Sequence, residues 1–144
     1  MIGIKYLLDT TIIIGVLKQS PNVIAYLSEF QPILSECAYS AITRMELLGF
    51  AGITADEDQA IRRLLDAMQY LEFTTDIEDE TIQIRRGLEL KLPDAMIAAT
   101  ARVYRLKLLT LDQKLFRSFS SLPSLYAPHS CNKPLFQTFW QAIR

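Results

Sequence analysis

The sequence of 144 residues is poor in the side chains on which most zinc, disulfide and nucleophilic sites depend. It has one histidine and two cysteines, and its five glycines form neither a P-loop nor a GxGxxG pattern. Because Cys37 and Cys131 have no close spacing, they indicate neither a disulfide framework nor a zinc site. His129 lies in the C-terminal tail, and no Ser-His-Asp or Cys-His arrangement is evident. A reduced, intracellular protein is the simplest interpretation.

The sequence also lacks an apolar run long enough to cross a membrane. The N-terminal segment MIGIKYLLDTTIIIGVL looks superficially like a signal peptide, but Asp9 interrupts its apolar run and no small-residue cleavage signal follows cleanly. This segment is better interpreted as a buried strand that runs into a helix. We therefore expect a cytoplasmic protein with no membrane partner.

A strong net charge is absent as well, since the formal net charge is −1 at pH 7. The chain as a whole therefore shows no general sign of nucleic-acid binding. Charge is unevenly distributed, however, because eight basic residues and only three acids lie between Arg85 and Arg117. This stretch could form a positively charged surface that binds a partner, or its charges could simply lie on solvated faces of helices. Hydrophobic residues make up 50% of the chain, which hints at a surface that a partner buries.

Short apolar blocks alternate with helical patterns, which is typical of a parallel sheet covered by helices on both faces. The pattern predicts an α/β fold with three α/β/α layers and a central parallel sheet of four to five strands. We find no repeat or domain boundary and expect a single domain over residues 1–144. Strands are predicted at residues 4–8, 37–41, 70–74 and 106–111, with a weaker strand at 124–127. Helices are predicted at residues 10–18, 21–30, 43–50, 55–69, 76–86, 93–104 and, in the tail at 120–144, over 135–143.

Four acidic residues are predicted to lie at one edge of this sheet, because sites in open parallel sheets form beyond the carboxyl ends of the strands. Asp9 directly follows the first strand, and Asp112 directly follows the fourth. Glu46 lies in the first turn of the helix after the second strand. Asp94 starts the helix that leads into the fourth strand, and that helix must run antiparallel to the strand. The topology alone therefore brings the four acids to the same edge.

Each acid also has a purely structural interpretation. Thr43 and Glu46 match a capping box, in which the glutamate bonds the backbone at a helix start. Asp94 follows a proline in a good helix opening, where the helix dipole stabilises an acid. Asp112 fits an ordinary turn. Asp9 is the hardest to explain in this way, because it lies between strongly apolar blocks where an unpaired charge is costly.

Taken together, the acids indicate a metal site. Several carboxylates in one pocket repel one another and raise one another's pKa. A divalent cation removes that conflict, and a site made only of carboxylate and water oxygens suits Mg²⁺ or Mn²⁺ rather than zinc. The residues therefore predict a Mg²⁺ or Mn²⁺ site at the carboxyl edge of the sheet.

Four short motifs occur in order within residues 4–119, and each contains one of the acids: LLDTT, SAITRMELLGF, LPDAMIAATA and LLTLDQKLF. Together they resemble the PIN domain family, and specifically the VapC-like ribonuclease toxins of bacterial toxin–antitoxin pairs. The resemblance implies a parallel sheet between helices and an endoribonuclease that depends on Mg²⁺ or Mn²⁺. It also implies a homodimer and an antitoxin partner whose tail enters the active site.

The resemblance assigns roles to individual residues. The catalytic and metal-binding acids are Asp9, Glu46, Asp94 and Asp112. We expect Glu46 to bind the metal through water and the three aspartates to lie nearest to it. Thr10 and Thr110 are the supporting polar residues, which orient water or phosphate. The candidates for contact with the RNA backbone are Arg85, Arg86, Lys91 and Arg102.

Other functions remain open at this point. A phosphatase of the haloacid-dehalogenase type also has an aspartate after its first strand, but it needs a second aspartate where this sequence has Thr11. A non-catalytic PIN-like module that binds RNA is a different class of function, and intact acids at all four positions argue against it. A scaffold or regulatory subunit is supported only by the high hydrophobic content.

Overall fold

Four short strands form a parallel sheet in the computed structural model, which describes residues 3–122. Their order across the sheet is β3-β2-β1-β4. The strands are β1 (Tyr6–Leu8), β2 (Cys37–Ser40), β3 (Gln69–Leu71) and β4 (Lys107–Leu109). The α-helices in this part of the chain are α1 (Thr10–Leu17), α2 (Pro21–Ser28), α3 (Ala41–Leu48), α4 (Ala55–Asp66), α5 (Thr75–Gly87), α6 (Leu92–Val103) and α7 (Gln113–Ser121).

The sheet is buried on both faces, which explains why its strands are continuous apolar runs rather than alternating ones. Leu7 and Ala38 point to the face that α5, α6 and α7 cover. Their neighbours Leu8 and Tyr39 point to the opposite face, where residues of α1 to α4 complete a second core. The predicted three-layer α/β/α architecture is therefore confirmed, with four strands within the described residues.

The connections between the strands create a crevice beside β1. The chain proceeds from β1 to β2 and β3 in one direction across the sheet, and it then returns over the other face to place β4 beside β1. Ligands bind at such a reversal, beyond the carboxyl ends of the strands. The backbone N–H of Asp9 donates to the carbonyl of Leu109 at 3.0 Å, so β1 and β4 stay paired up to this point.

Helix α2 lies very close to α1. A Cβ atom added to Gly15 would stand 2.2 Å from the Cγ2 atom of Val23, so a larger side chain at this position would push α2 away. The ring of Phe30, just after α2, packs edge-on against the rings of Tyr6 and Tyr26, with centroids 6.4 Å and 5.2 Å away. These contacts fix α2 over β1 and its neighbour β4.

The structure differs from the sequence-based elements in several places. Helix α7 was not predicted; it starts after Asp112, whose carboxylate accepts a hydrogen bond from Leu115 N at 3.0 Å and caps the helix. A short 3₁₀ turn at Leu34–Glu36 precedes β2 and was also missed. The predicted strand at 124–127 and helix at 135–143 lie outside the described residues. Within residues 3–122, no helix is long and apolar enough to span a bilayer.

Candidate active site

Asp9 is a buried carboxylate with three hydrogen-bond donors. It follows β1 directly and caps α1, and its side chain is only 5% exposed. Its Oδ1 atom accepts from Thr10 N at 2.7 Å. Its Oδ2 atom accepts from the hydroxyls of Thr110 at 2.7 Å and Thr11 at 3.1 Å. These donors compensate the cost of burying the charge.

Thr110 connects two of the acids. Its buried hydroxyl donates to Asp9 Oδ2 and also accepts from the backbone N–H of Asp112 at 3.0 Å. The carboxylate of Asp112, which caps α7, is thereby held at a fixed position relative to Asp9. The structural interpretation of Asp112 is therefore compatible with the functional one. The same residue caps α7 and is linked to Asp9 through Thr110.

Thr10 plays the corresponding part on the other side of the crevice. Its hydroxyl donates to Glu46 Oε1 at 2.7 Å and lies 3.0 Å from the hydroxyl of Thr43. The predicted capping box at Thr43 and Glu46 is not present in the structure. Ser40 caps α3 instead, because its hydroxyl accepts from Thr43 N at 3.2 Å. Glu46 therefore lies in the second turn of α3, not the first, and its side chain is directed to Thr10.

Asp94 lies in the first turn of α6 and faces the other three acids. Its pKa is raised above the ordinary value, first by burial and then by the negative charges of Asp112, Asp9 and Glu46. The nearby ammonium of Lys91 acts in the opposite direction and lowers the pKa of Asp94. The structure therefore brings together the four acids that the topology predicted.

The four acids fit a divalent cation in chemistry and charge. Their donors are all oxygen atoms, which Mg²⁺ and Mn²⁺ prefer. The negative charges of the other three acids contribute, after burial, to the raised pKa of Asp94. As the side chains stand, no three Asp, Glu, His or Cys residues between positions 3 and 122 form a ready-made ligand group. The four acids therefore match a divalent cation in the type of their donor atoms and in their charge.

Three of the predicted basic residues are exposed, and the fourth is not. Arg85 and Arg86 lie in the last turn of α5, and Lys91 immediately precedes α6. Arg102 lies at the opposite end of α6 from the acids and is 7% exposed. Its Nε atom is 2.6 Å from Glu80 Oε2. The prediction that Arg102 contacts RNA is therefore corrected, because its guanidinium is buried in an ion pair with α5.

Sequence reasoning missed three hydroxyl residues of this site, Thr11, Ser40 and Thr43. Their hydroxyls belong to the hydrogen-bond network that holds Asp9 and Glu46. A signal was available, since each is a small polar residue within six positions of an acid and beside an apolar block. A fourth missed residue is Tyr26, whose hydroxyl accepts a hydrogen bond from Thr110 N; it is distant in sequence and had no such signal.

Replacing Asp94 by Asn is expected to stabilise the metal-free protein at neutral pH. Because the pKa of Asp94 is raised in the folded state, the folded protein binds this proton more tightly than the unfolded chain does. The free energy of unfolding therefore falls as the pH rises from the ordinary value of 3.8 through the raised one. Thermal unfolding in EDTA should show a higher Tm for D94N at about pH 7, and the gain should shrink towards about pH 4.

Asp76→Asn is the matched control, because Asp76 lies in the first turn of α5 and is exposed. Loss of a carboxylate from a helix N-terminus removes a favourable interaction with the dipole, so D76N should be neutral or slightly destabilising. A lower Tm for D94N than for the wild type in EDTA would contradict the proposed charge conflict.

Comparison with known proteins identifies the family. Residues 6–121 match the sequence model of the PIN domain. The chain belongs to the PIN domain family. The resemblance seen in the four motifs is thereby confirmed, and the acids of this PIN domain lie within the matched range.

One of the solved structures similar to this PIN domain is a toxin–antitoxin complex. A chain of a toxin–antitoxin complex from Klebsiella pneumoniae is 30% identical with a TM-score of 0.68, and the match covers 87% of this chain and 98% of that one. A chain of FitAcB from Neisseria gonorrhoeae is 30% identical with a TM-score of 0.65, and the match covers 80% of this chain and 93% of that one. A chain of DNA-bound VapBC from Salmonella typhimurium is 26% identical with a TM-score of 0.67, and the match covers 79% of this chain and 91% of that one. A search of curated protein sequences finds no significant match.

Proposed function

We propose that this PIN domain is an endoribonuclease that hydrolyses RNA phosphodiester bonds with Mg²⁺ or Mn²⁺. The observation that carries the proposal is the convergence of four acids from four separate segments. Hydrogen bonds through Thr10 and Thr110 join three of them, and the charges of these three, after burial, raise the pKa of Asp94. Two of the acids also cap helices, but capping does not require four carboxylates in one crevice, where they repel one another. An acid with a perturbed pKa, such as Asp94, in a crevice at the carboxyl edge of a parallel sheet is typical of a catalytic site.

Each acid has a defined part in this proposal. Asp9, Asp94 and Asp112 would hold the ion, and Glu46 would contact it through water. When bound, such an ion supplies activation of water for attack on phosphorus and stabilises charge on the leaving oxygen. The protein's own contribution is to fix the acids in advance, because side chains that need not reorganise during reaction contribute most to catalysis.

The two predicted threonines act on the acids in the structure. Thr10 holds Glu46 with its hydroxyl and Asp9 with its backbone N–H, and Thr110 holds Asp9 and the backbone of Asp112. We therefore propose that they orient carboxylates. The sequence-based expectation was that they orient water or phosphate.

Basic residues beside the crevice are proposed to bind the RNA backbone. Lys91 is the best supported, because its ammonium lowers the pKa of Asp94 and its side chain is exposed. Arg85 and Arg86 are exposed at the end of α5, six and five residues before Lys91 in the chain. Binding through phosphate contacts should weaken steeply as salt is raised, since each contact releases counterions.

We further propose that the chain is the toxin of a toxin–antitoxin pair in the cytoplasm, that it forms a homodimer and that an antitoxin silences it. The support is the similarity to a chain of a toxin–antitoxin complex, which is 30% identical over 87% of this chain. Exposed apolar side chains also lie next to the acids in the chain: Met45 beside Glu46, and Leu111 beside Asp112. A partner that covers the crevice would bury these side chains.

The proposal is tested with the purified chain, without a partner, on structured RNAs. Cleavage is expected with Mg²⁺ or Mn²⁺ and is expected to stop with EDTA. Cleavage that continues in EDTA would rule out the metal-dependent mechanism, and RNA binding without cleavage would favour a non-catalytic PIN-like module. Induced expression should arrest growth, and a small co-expressed partner should relieve the arrest.

Thr110→Val is expected to lower the rate of cleavage by about 10- to 100-fold, as is typical for loss of a residue that orients a metal ligand. Valine keeps most of the volume but leaves Asp9 Oδ2 and Asp112 N without this partner. Loss of the buried hydrogen bonds should also reduce the free energy of unfolding by about 1–3 kcal/mol. Both effects are measured on purified protein, by initial rates at saturating RNA and by urea unfolding.

Thr81→Val is the matched control for Thr110→Val. Thr81 is also buried, and its hydroxyl donates to the carbonyl of Ile77 within α5, away from the acids. T81V should therefore cleave RNA at the wild-type rate. Equal rates for T110V and T81V would show that Thr110 has no part in orienting the acids.

A further inference from the structure

The backbone N–H of Thr110 points away from β1. The carbonyl of Leu109 accepts from Asp9 N and so faces β1. In a trans peptide the following N–H points to the opposite side. Because β4 is the edge strand of the described sheet, this N–H faces outward at the residue whose hydroxyl joins Asp9 to Asp112.

The hydroxyl of Tyr26, from α2, meets this N–H. Thr110 N donates to Tyr26 Oη at 3.3 Å, across 84 positions of the sequence. Burial raises the pKa of the Tyr26 hydroxyl, so the group is protonated at neutral pH and serves as a neutral acceptor. The contact ties α2 to the turn that carries Thr110 and Asp112.

Tyr26 is itself firmly held. Its ring packs edge-on against Phe30, and the ammonium of Lys107 on β4 lies 4.5 Å from the centroid of the same Phe30 ring. The contact between Gly15 and Val23 fixes α2 against α1. The Tyr26 hydroxyl is therefore presented by a helix that packs against α1 and Phe30, as a positioning role requires.

We propose that Tyr26 is a positioning residue for the acids: its hydroxyl fixes the backbone of Thr110, and Thr110 in turn sets the distance between Asp9 and Asp112. The inference rests on the proposed nuclease function. Tyr26 touches neither RNA nor the ion in this proposal and acts only through Thr110. Its removal should therefore affect turnover and metal binding while leaving the affinity for RNA unchanged.

The test compares Tyr26→Phe with Tyr6→Phe in the full chain. Both variants lose one hydroxyl from a ring that packs against Phe30, but only Tyr26 contacts Thr110. For Y26F we expect kcat to fall by about 10-fold, at the low end for residues behind a metal ligand, with an unchanged KM for RNA. We also expect weaker binding of Mn²⁺ alone by calorimetry and faster hydrogen exchange at the Thr110 amide. Y6F should match the wild type in all four measurements.

The outcomes separate the two proposals. A wild-type protein that neither cleaves RNA nor binds Mn²⁺ overturns the nuclease function, and the positioning role with it. An active wild type whose kcat, Mn²⁺ affinity and Thr110 exchange are unchanged in Y26F overturns the role of Tyr26 alone. A lower Tm in Y26F with unchanged kcat and Mn²⁺ affinity would show a merely structural contact and likewise overturn it.

Discussion

Asp9→Asn is expected to reduce RNA cleavage by more than about 100-fold, because even loss of a residue behind a metal ligand costs about 10- to 100-fold. Asparagine has nearly the same shape and can still accept from Thr10 N through its oxygen. It removes the negative charge that lies at the centre of the hydrogen-bond network. Initial rates at saturating RNA and calorimetric binding of Mn²⁺ measure the two expected losses.

Asp56→Asn provides the matched control for Asp9→Asn. Asp56 is an exposed acid in the first turn of α4, and its replacement changes the net charge of the chain by the same amount. D56N should bind Mn²⁺ and cleave RNA like the wild type. If D9N retained wild-type activity while EDTA still abolished it, the ion would have to bind away from Asp9.

Glu80→Ala is expected to destabilise the fold by about 3–5 kcal/mol, because it removes a carboxylate from a buried ion pair with the guanidinium of Arg102. The two side chains are 4% and 7% exposed, and they join α5 to α6 at an N–O distance of 2.6 Å. Such a loss corresponds to a decrease in Tm on the order of 10 °C for a chain of this size. Urea unfolding and calorimetry measure it directly.

Arg62→Ala breaks an exposed ion pair and serves as the comparison. Arg62 Nε lies 2.8 Å from Asp58 Oδ2 on one face of α4, and both side chains are at least one-third exposed. Exposed pairs contribute little, so R62A should unfold near the wild-type temperature. Equal losses for E80A and R62A would mean that burial of the Glu80 pair is not what makes it important. Simultaneous replacement of Glu80 and Arg102 by apolar residues should recover much of the stability.

The position of the acids could be predicted because topology and burial constrain it strongly. Asp9 lies between apolar runs, and a parallel sheet brings the residues after β1 and β4 to one edge. Asp94 follows from the direction of α6. These inferences need only the order of the elements, and a shift of one or two residues in an element boundary does not affect them. The start of α3 shows this, since the helix begins at Ala41 and Glu46 still reaches the site.

Other features depend on three-dimensional neighbours that a sequence does not show. Arg102 lies in a basic stretch and suggested a contact with RNA, but its burial depends on Glu80 in the preceding helix. The direction of Glu46 depends on Thr10, which is 36 positions away. Tyr26 contacts the site only because α2 passes over β4. Local patterns predict elements well, whereas contacts between distant side chains require the packed structure.

The hydrogen bond between Thr110 and Asp9 joins residues 101 positions apart. During synthesis Asp9, Glu46 and Asp94 emerge before β4, Thr110 and Asp112. The crevice between β1 and β4 therefore cannot form until β4 has emerged, and a ribosome is not exposed to the four assembled acids before that point. The order of the strands thus delays the proposed activity until β4 has been synthesised.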